Sequence, residues 1–215
     1  MLRKPLAVLG ALLMAAACGG GSSPGSSGPT ASSVAVQSGD LPGGMARCDL
    51  SGDIDSFLAK EKTQDPNTYS SSKTEWDDAR KNGATAAYTA FYSDTTSHCT
   101  AIKTNGADIG TANYKLVVNF VIEFKDEASA AKGYTSESIF GFSSSELKAS
   151  GAVPVLEGAQ TGLTANSIVL NAAVAGQSYY IAVWQKKAFM VILAVLNVDS
   201  AASKKVATSE NSRIS

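Results

Sequence analysis

The sequence predicts an α+β domain, a mostly antiparallel sheet with helices packed on it, and three observations carry the prediction. Three apolar runs, Ile168 to Val174, Tyr179 to Trp184 and Phe189 to Val198, follow one another across short turn segments, which makes them antiparallel neighbours. Segments with apolar residues at helical spacing lie before and after such runs instead of alternating with each strand, which argues against a parallel βαβ arrangement. The stretch Phe189 to Leu196 is apolar at every position, so its strand needs cover on both faces.

Taken in order, Ile54, Phe57 and Leu58 fall at i, i+3, i+4 after Asp53 and predict a short amphipathic helix stopped at Asp65-Pro66. Ser72-Lys73-Thr74-Glu75 has the form of a capping box and predicts a second helix, with Trp76 and Ala79 on one face and Asn82-Gly83 as its stop. Ala84 to Ser93 reads as a strand, with Ala86, Tyr88, Ala90 and Tyr92 on one side and Thr85, Ala87, Thr89 and Phe91 on the other. The polar stretch from Asp94 to Ala112 reads as a long loop. Lys115 to Phe124 is the clearest strand: Leu116, Val118, Phe120, Ile122 and Phe124 form one apolar face, and Asn119 and Glu123 mark the other. Asp126-Glu127 opens a helix carried by Ala128, Ala131 and Tyr134 that ends before Ser143. A weak strand near Val153 to Leu156 and a turn at Gly158 to Gly162 lead into the three consecutive strands. A last helix starts at Ser200, and its thin apolar stripe offers Ala202 and Val206.

The N-terminus has the layout of a secretory signal: Arg3 and Lys4, an apolar region from Leu6 to Met14, then Ala15-Ala16-Ala17 before Cys18. The apolar part is shorter than the ~20 residues a membrane span needs. Ala15-Ala16-Ala17-Cys18 resembles the lipobox of bacterial lipoproteins, in which a dedicated peptidase cuts before a cysteine that carries lipid. Ala15 stands where that family usually has Leu, and the same alanines suit a type I peptidase with its A-x-A preference. Two features favour the lipoprotein. Gly19 to Pro29 is a Gly/Ser/Pro linker of the kind that separates an anchor from its domain, and three cysteines leave one unpaired unless Cys18 has another fate. The expected organisation is a signal peptide over 1–17, lipidated Cys18 with a flexible linker over 18–45, and one extracytoplasmic domain over 46–215, anchored in the cell membrane.

Among 215 residues, loss of Arg3 and Lys4 with the signal takes the formal charge from −1 to −3, and no basic run remains, which argues against nucleic acid as a partner. Cys48 and Cys99 are too far apart for a C-x-x-C pair; in an oxidising compartment a structural disulfide is favoured over metal or redox use. His98 is the only histidine, so a multi-histidine metal site is excluded and a catalytic triad would depend on one residue. Asp53-Ile54-Asp55 and Asp77-Asp78 sit where acidic residues are ordinary at helix starts and exposed faces. Gly21-Ser22-Ser23-Pro24-Gly25 matches a nucleophile-elbow pattern but lies in linker, without the flanking strand and helix that motif needs. No catalytic residue, metal or cofactor is therefore expected.

The strand Lys115 to Phe124, the helix from Asp126, the hairpin and the C-terminal helix together resemble Mog1/PsbP-like domains of some actinobacterial lipoproteins and kinase sensors. The resemblance is one of pattern; it implies an extracytoplasmic module that senses or binds something and carries over no site residue. The function expected is non-enzymatic binding of an apolar small molecule or an envelope protein. An envelope hydrolase with an unrecognised site and a structural surface antigen are the alternatives. Tyr88, Tyr92, Tyr179, Tyr180 and Trp184 either fill the core or line a pocket. Because the last helix has so thin an apolar stripe, the ligand groove is expected beside Tyr180 and Trp184.

Overall fold

The computed structural model describes residues 28–136, 143–149 and 154–215; the signal segment and Cys18 lie outside them. In chain order the strands are β1 (Ala46–Arg47), β2 (Gly52–Asp53), β3 (Ala84–Ser93), β4 (Leu116–Phe124), β5 (Val155–Glu157), β6 (Ser167–Val174), β7 (Gln177–Lys186) and β8 (Phe189–Leu196). The helices are α1 (Ala31–Val34), α2 (Ile54–Gln64), α3 (Pro66–Lys81), α4 (Thr96–Thr104), α5 (Glu127–Ser136), α6 (Ser144–Ala149) and α7 (Ser200–Arg213). All strand pairings are antiparallel, in the order β1-β3-β4-β8-β7-β6-β5, and β2 also pairs with β3. The α+β class predicted from the sequence is the class observed.

The sheet is covered on both faces because its central strands are apolar at both parities. On β4 and β8, Leu116, Val118, Phe120, Ile122, Met190, Ile192, Ala194 and Leu196 belong to one core, together with Phe57 of α2, Trp76 of α3, Ile102 of α4, Ala130 of α5 and Leu147 of α6. Val117, Val121, Phe189, Val191, Leu193 and Val195 belong to the other, under α1 and α7. The tight hairpins of β6–β7 and β7–β8 need left-handed backbone. Ala175 and Gly176 take φ of 51° and 81°, and Lys187 takes 49°.

Three boundaries differ from expectation, each for a physical reason. The folded part begins near residue 30, not at 46: Thr30 caps α1, accepting the Ser33 N–H at 3.3 Å, and Ala31, Val34, Ala35 and Val36 are buried in the second core. The expected linker over 18–45 is therefore partly a structural strap. Asp65-Pro66 both ends α2 and starts α3, since the Asp65 carboxylate caps the new helix and proline suits its first position; Ser72 lies buried inside α3 and is no cap. The expected loop 94–112 contains α4, capped by Thr95, and a short 3-10 segment, Gly106–Thr111. The described part of α5 ends at Ser136, and residues 137–142 lie outside the described residues.

Asn119, read as marking a polar face, is fully buried. Its Oδ1 accepts the Val36 N–H at 3.0 Å, and its Nδ2 donates to Glu210 Oε1 at 2.9 Å and to the Ile192 carbonyl at 3.2 Å. Burial pushes the Glu210 carboxyl well above its usual range, and its Oε1 joins α7 to this network. The C-terminal helix thus covers the sheet with Val206, Ala207 and Ile214 and with two buried polar residues, Ser203 and Glu210, which a stripe counted from apolar residues misses.

Candidate functional site

Tyr180 and Trp184 do not line a groove. Both belong to the second core, and Trp184 has no exposed surface; the Tyr180 phenol is pushed up to about 12 by burial. Helix α7 itself packs on β7 and supplies the cover it was expected to lack, while α1 lies over β3 and β4 on the same face. The expected ligand residues are structural, and the expectation is corrected accordingly.

His98 and Cys99 lie on α4. The His98 Nδ1 is 2.6 Å from Asp94 Oδ1, and the imidazole stacks on Tyr114 at 3.9 Å between ring centres. Burial works to raise the Asp94 carboxyl, but the hydrogen bonds to His98 and to the Lys115 amide outweigh it and hold it below its usual range. The two side chains tie the start of α4 to the segment before β4. Cys48 and Cys99 form the disulfide expected, with Cα atoms 5.2 Å apart. Of the acidic pairs, Asp53 caps α2 through Ser56 at 2.9 Å; Asp77 pairs with Lys73, and Asp78 with Lys81 at 2.7 Å. Among the described residues, no three His, Cys, Asp or Glu side chains come together to hold a metal ion, and no helix is long and apolar enough to cross a membrane.

The cavity lies on the opposite face of the sheet. It has a volume of about 400 Å³ and opens between β3–β4 and the α2–α3 pair, flanked by α4 and the 3-10 segment. Its floor is a cluster of three rings: Phe57 stacks on Phe91 at 5.8 Å, and Phe120 meets both edge-on at 5.9 and 5.7 Å. Leu50, Ile102, Ile109 and Val118 extend the apolar wall, and Asn67, Thr68, Ser71, Ser72, Glu61 and Glu75 supply its polar groups. These residues converge because α2 and α3 form a hairpin across Asp65-Pro66 and lay their inner faces over the one side of β3 and β4 that carries Phe91, Val118 and Phe120.

Glu61 sets this cavity apart. It follows Phe57 and Leu58 on the buried stripe of α2, is 1% exposed, and its Oε2 has no hydrogen-bond partner. Burial, and then the charge of Asp65 one turn on, push its carboxyl up to about 7, against a smaller pull downward from Lys103. Because the folded state raises this acid, stability drawn from its neutral form is fully present below about pH 4.5 and is lost as pH rises through about 7. The difference amounts to roughly 3 kcal/mol at 1.36 kcal/mol per pH unit. Asp65 stays ionised: the Thr68 hydroxyl donates to it at 2.7 Å, the Gly106 N–H at 2.9 Å and the Thr68 N–H at 3.2 Å, holding its carboxyl below the usual range. Gly106 permits this approach, since a Cβ there would stand 2.7 Å from the Thr68 hydroxyl oxygen. The Lys103 ammonium is drawn to Asp49, 2.7 Å away.

The signal for this site was present in the sequence as a carboxylate on an otherwise apolar helical stripe, Ile54, Phe57, Leu58, Glu61. Buried carboxylates without a partner are rare in folded proteins and ask for an explanation.

No family model matches the chain, and no curated protein matches it. Among solved structures, it is similar to the extracellular domain of PknH from Mycobacterium tuberculosis, at 14% identity and a TM-score of 0.43, over 84% of this chain and 94% of that one.

Proposed function

We propose that this chain is a lipid-anchored, extracytoplasmic binding protein that takes up an apolar or amphipathic small molecule between the sheet and the α2–α3 hairpin and does no chemistry on it. The observation that carries the reading is a preformed apolar cavity whose wall holds one buried carboxyl oxygen without a partner. Small-molecule sites have this form, an apolar concavity of roughly 300–1,000 Å³ with few polar groups that orient the ligand. The disulfide supports export to an oxidising compartment, and the signal layout before Cys18 supports anchoring.

The pocket is tested with the chain from residue 18 carrying Cys18→Ser, by following pyrene fluorescence. Saturable binding at one site is expected. Ser71→Trp, at an exposed position on the rim, is expected to weaken it at least tenfold while leaving the melting temperature unchanged. Absence of saturable binding, or equal binding by the rim variant, would remove the pocket and favour a structural surface protein. The anchor is tested by fatty-acid labelling in the native host: wild type should take label and Cys18→Ser should not. Unlabelled wild type found wholly in the medium would instead support type I cleavage.

A further inference from the structure

We infer that the ligand is a cationic amphiphile, an organic ammonium group seated on Glu61 with its apolar body over Phe57, Phe91 and Phe120. This deepens the binding reading above and rests on it.

The polarity of the site decides between ligand classes. Among the described residues its wall carries Glu61 and Glu75 and no Lys, Arg or His, so the carboxylate of a fatty acid would enter beside like charge with no cation of the wall to receive it. Asp65 adds a fixed negative charge next to Glu61, held ionised by three donors. Lys103, the cation whose charge acts on Glu61, is paired with Asp49.

An uncharged ligand could bond to a protonated Glu61, but it would leave that negative field unanswered. An ammonium donor at the Glu61 wall of the cavity would answer that field with a charge-assisted hydrogen bond to the carboxylate, of about twice the strength of a neutral one. Desolvation of the carboxylate is already built into the fold, so the ligand alone contributes new desolvation. The site is thus organised for positive charge at one end and hydrocarbon at the other.

The experiment is competition against bound pyrene on the same Cys18→Ser chain at pH 8, with decylamine, decanol and decanoate, which share one chain length and differ in head group. Decylamine is expected to compete at least tenfold better than decanol, and decanoate worst. Glu61→Gln, which keeps the side-chain shape and removes the charge, is expected to bring amine and alcohol within about twofold of each other while melting cooperatively and no lower than wild type. Equal competition by decanol or decanoate on wild type overturns the inference while leaving the pocket in place. So does an amine preference that survives in Glu61→Gln. Failure of wild type to bind pyrene removes the pocket itself, and the amine with it.

Discussion

Trp184→Ala is expected to lower stability by about 3–5 kcal/mol, the range for deleting a large aromatic side chain from a packed core. For a domain of this size each kcal/mol corresponds to about 2–4 °C in Tm, so the melting point should fall on the order of 10 °C. Trp184 lies on β7 between Ser167 of β6 and Val191 of β8 and in one core with Val206 and Ala207 of α7. Paired strands on both sides hold the backbone, so the space vacated by the indole cannot collapse. One term works the other way: the indole Nε1 is buried without a hydrogen-bond partner, and its removal relieves about 1–3 kcal/mol of desolvation. Trp184→Phe separates the two, because it fills most of the volume without the orphaned donor. It should stay within about 1.5 kcal/mol of wild type. Urea unfolding of the three proteins measures both differences, and an alanine variant as stable as wild type would return Trp184 to the margin of a cavity.

The two sides of the sheet were not equally legible in the sequence. Strands β3, β4, β6, β7 and β8 could be read because their alternation is local: each residue's face follows from its neighbours two positions away. The double-sided apolar run of β8 also required that something cover the second face, and something does. What covers it could not be read. Segment α1 has four residues and sits in a Ser- and Gly-rich stretch that by composition is linker. It is held by distant groups: Arg213 donates to the Val34 carbonyl at 3.0 Å and the Ala35 carbonyl at 3.1 Å and pairs with Asp40 at 2.9 Å, while Asn119 receives the Val36 amide. Contacts across more than 80 positions of chain leave no periodic trace. Helix α4 was missed for a related reason, since only Ile102 of its residues is buried.

The site was misplaced by the same asymmetry. The thin apolar stripe of the last helix pointed to open surface beside Tyr180 and Trp184, yet α7 packs on their strand. The real opening arises where α3 begins at Pro66 and carries Ser71, Ser72 and Glu75, all polar, over the aromatic floor. A helix whose inward face is polar in its first turns leaves space above apolar strands. Glu61 on the apolar stripe of α2 was the available clue, because a side-chain oxygen buried there without a partner asks for an explanation.

Removing the Cys48–Cys99 bridge is expected to lower stability by about 4 kcal/mol, from the chain-entropy relation for a closed loop of this length; the two cysteines are 51 positions apart. At about 2–4 °C per kcal/mol, the Cys48→Ser/Cys99→Ser chain should melt on the order of 10 °C below the oxidised protein. Alkylation of denatured wild type should add two groups only after reduction. The bridge also bears on the cavity. It joins Cys99 of α4, the helix that contributes Ile102 to the cavity wall, to Cys48, two residues before Leu50 on the same wall. Beyond the bridge, α4 is held by the single buried side chain of Ile102, by His98 against Asp94 and Tyr114, and by Lys103 on Asp49, the last a partly exposed ion pair of the kind that contributes less than about 1 kcal/mol. Reduced protein kept well below its melting temperature should therefore still be folded, yet bind pyrene several-fold more weakly as α4 loosens from the wall. Equal melting temperatures with and without reductant would show that the bridge does not restrain the unfolded chain. Unchanged pyrene affinity in folded, reduced protein would show that α4 keeps its place by packing alone.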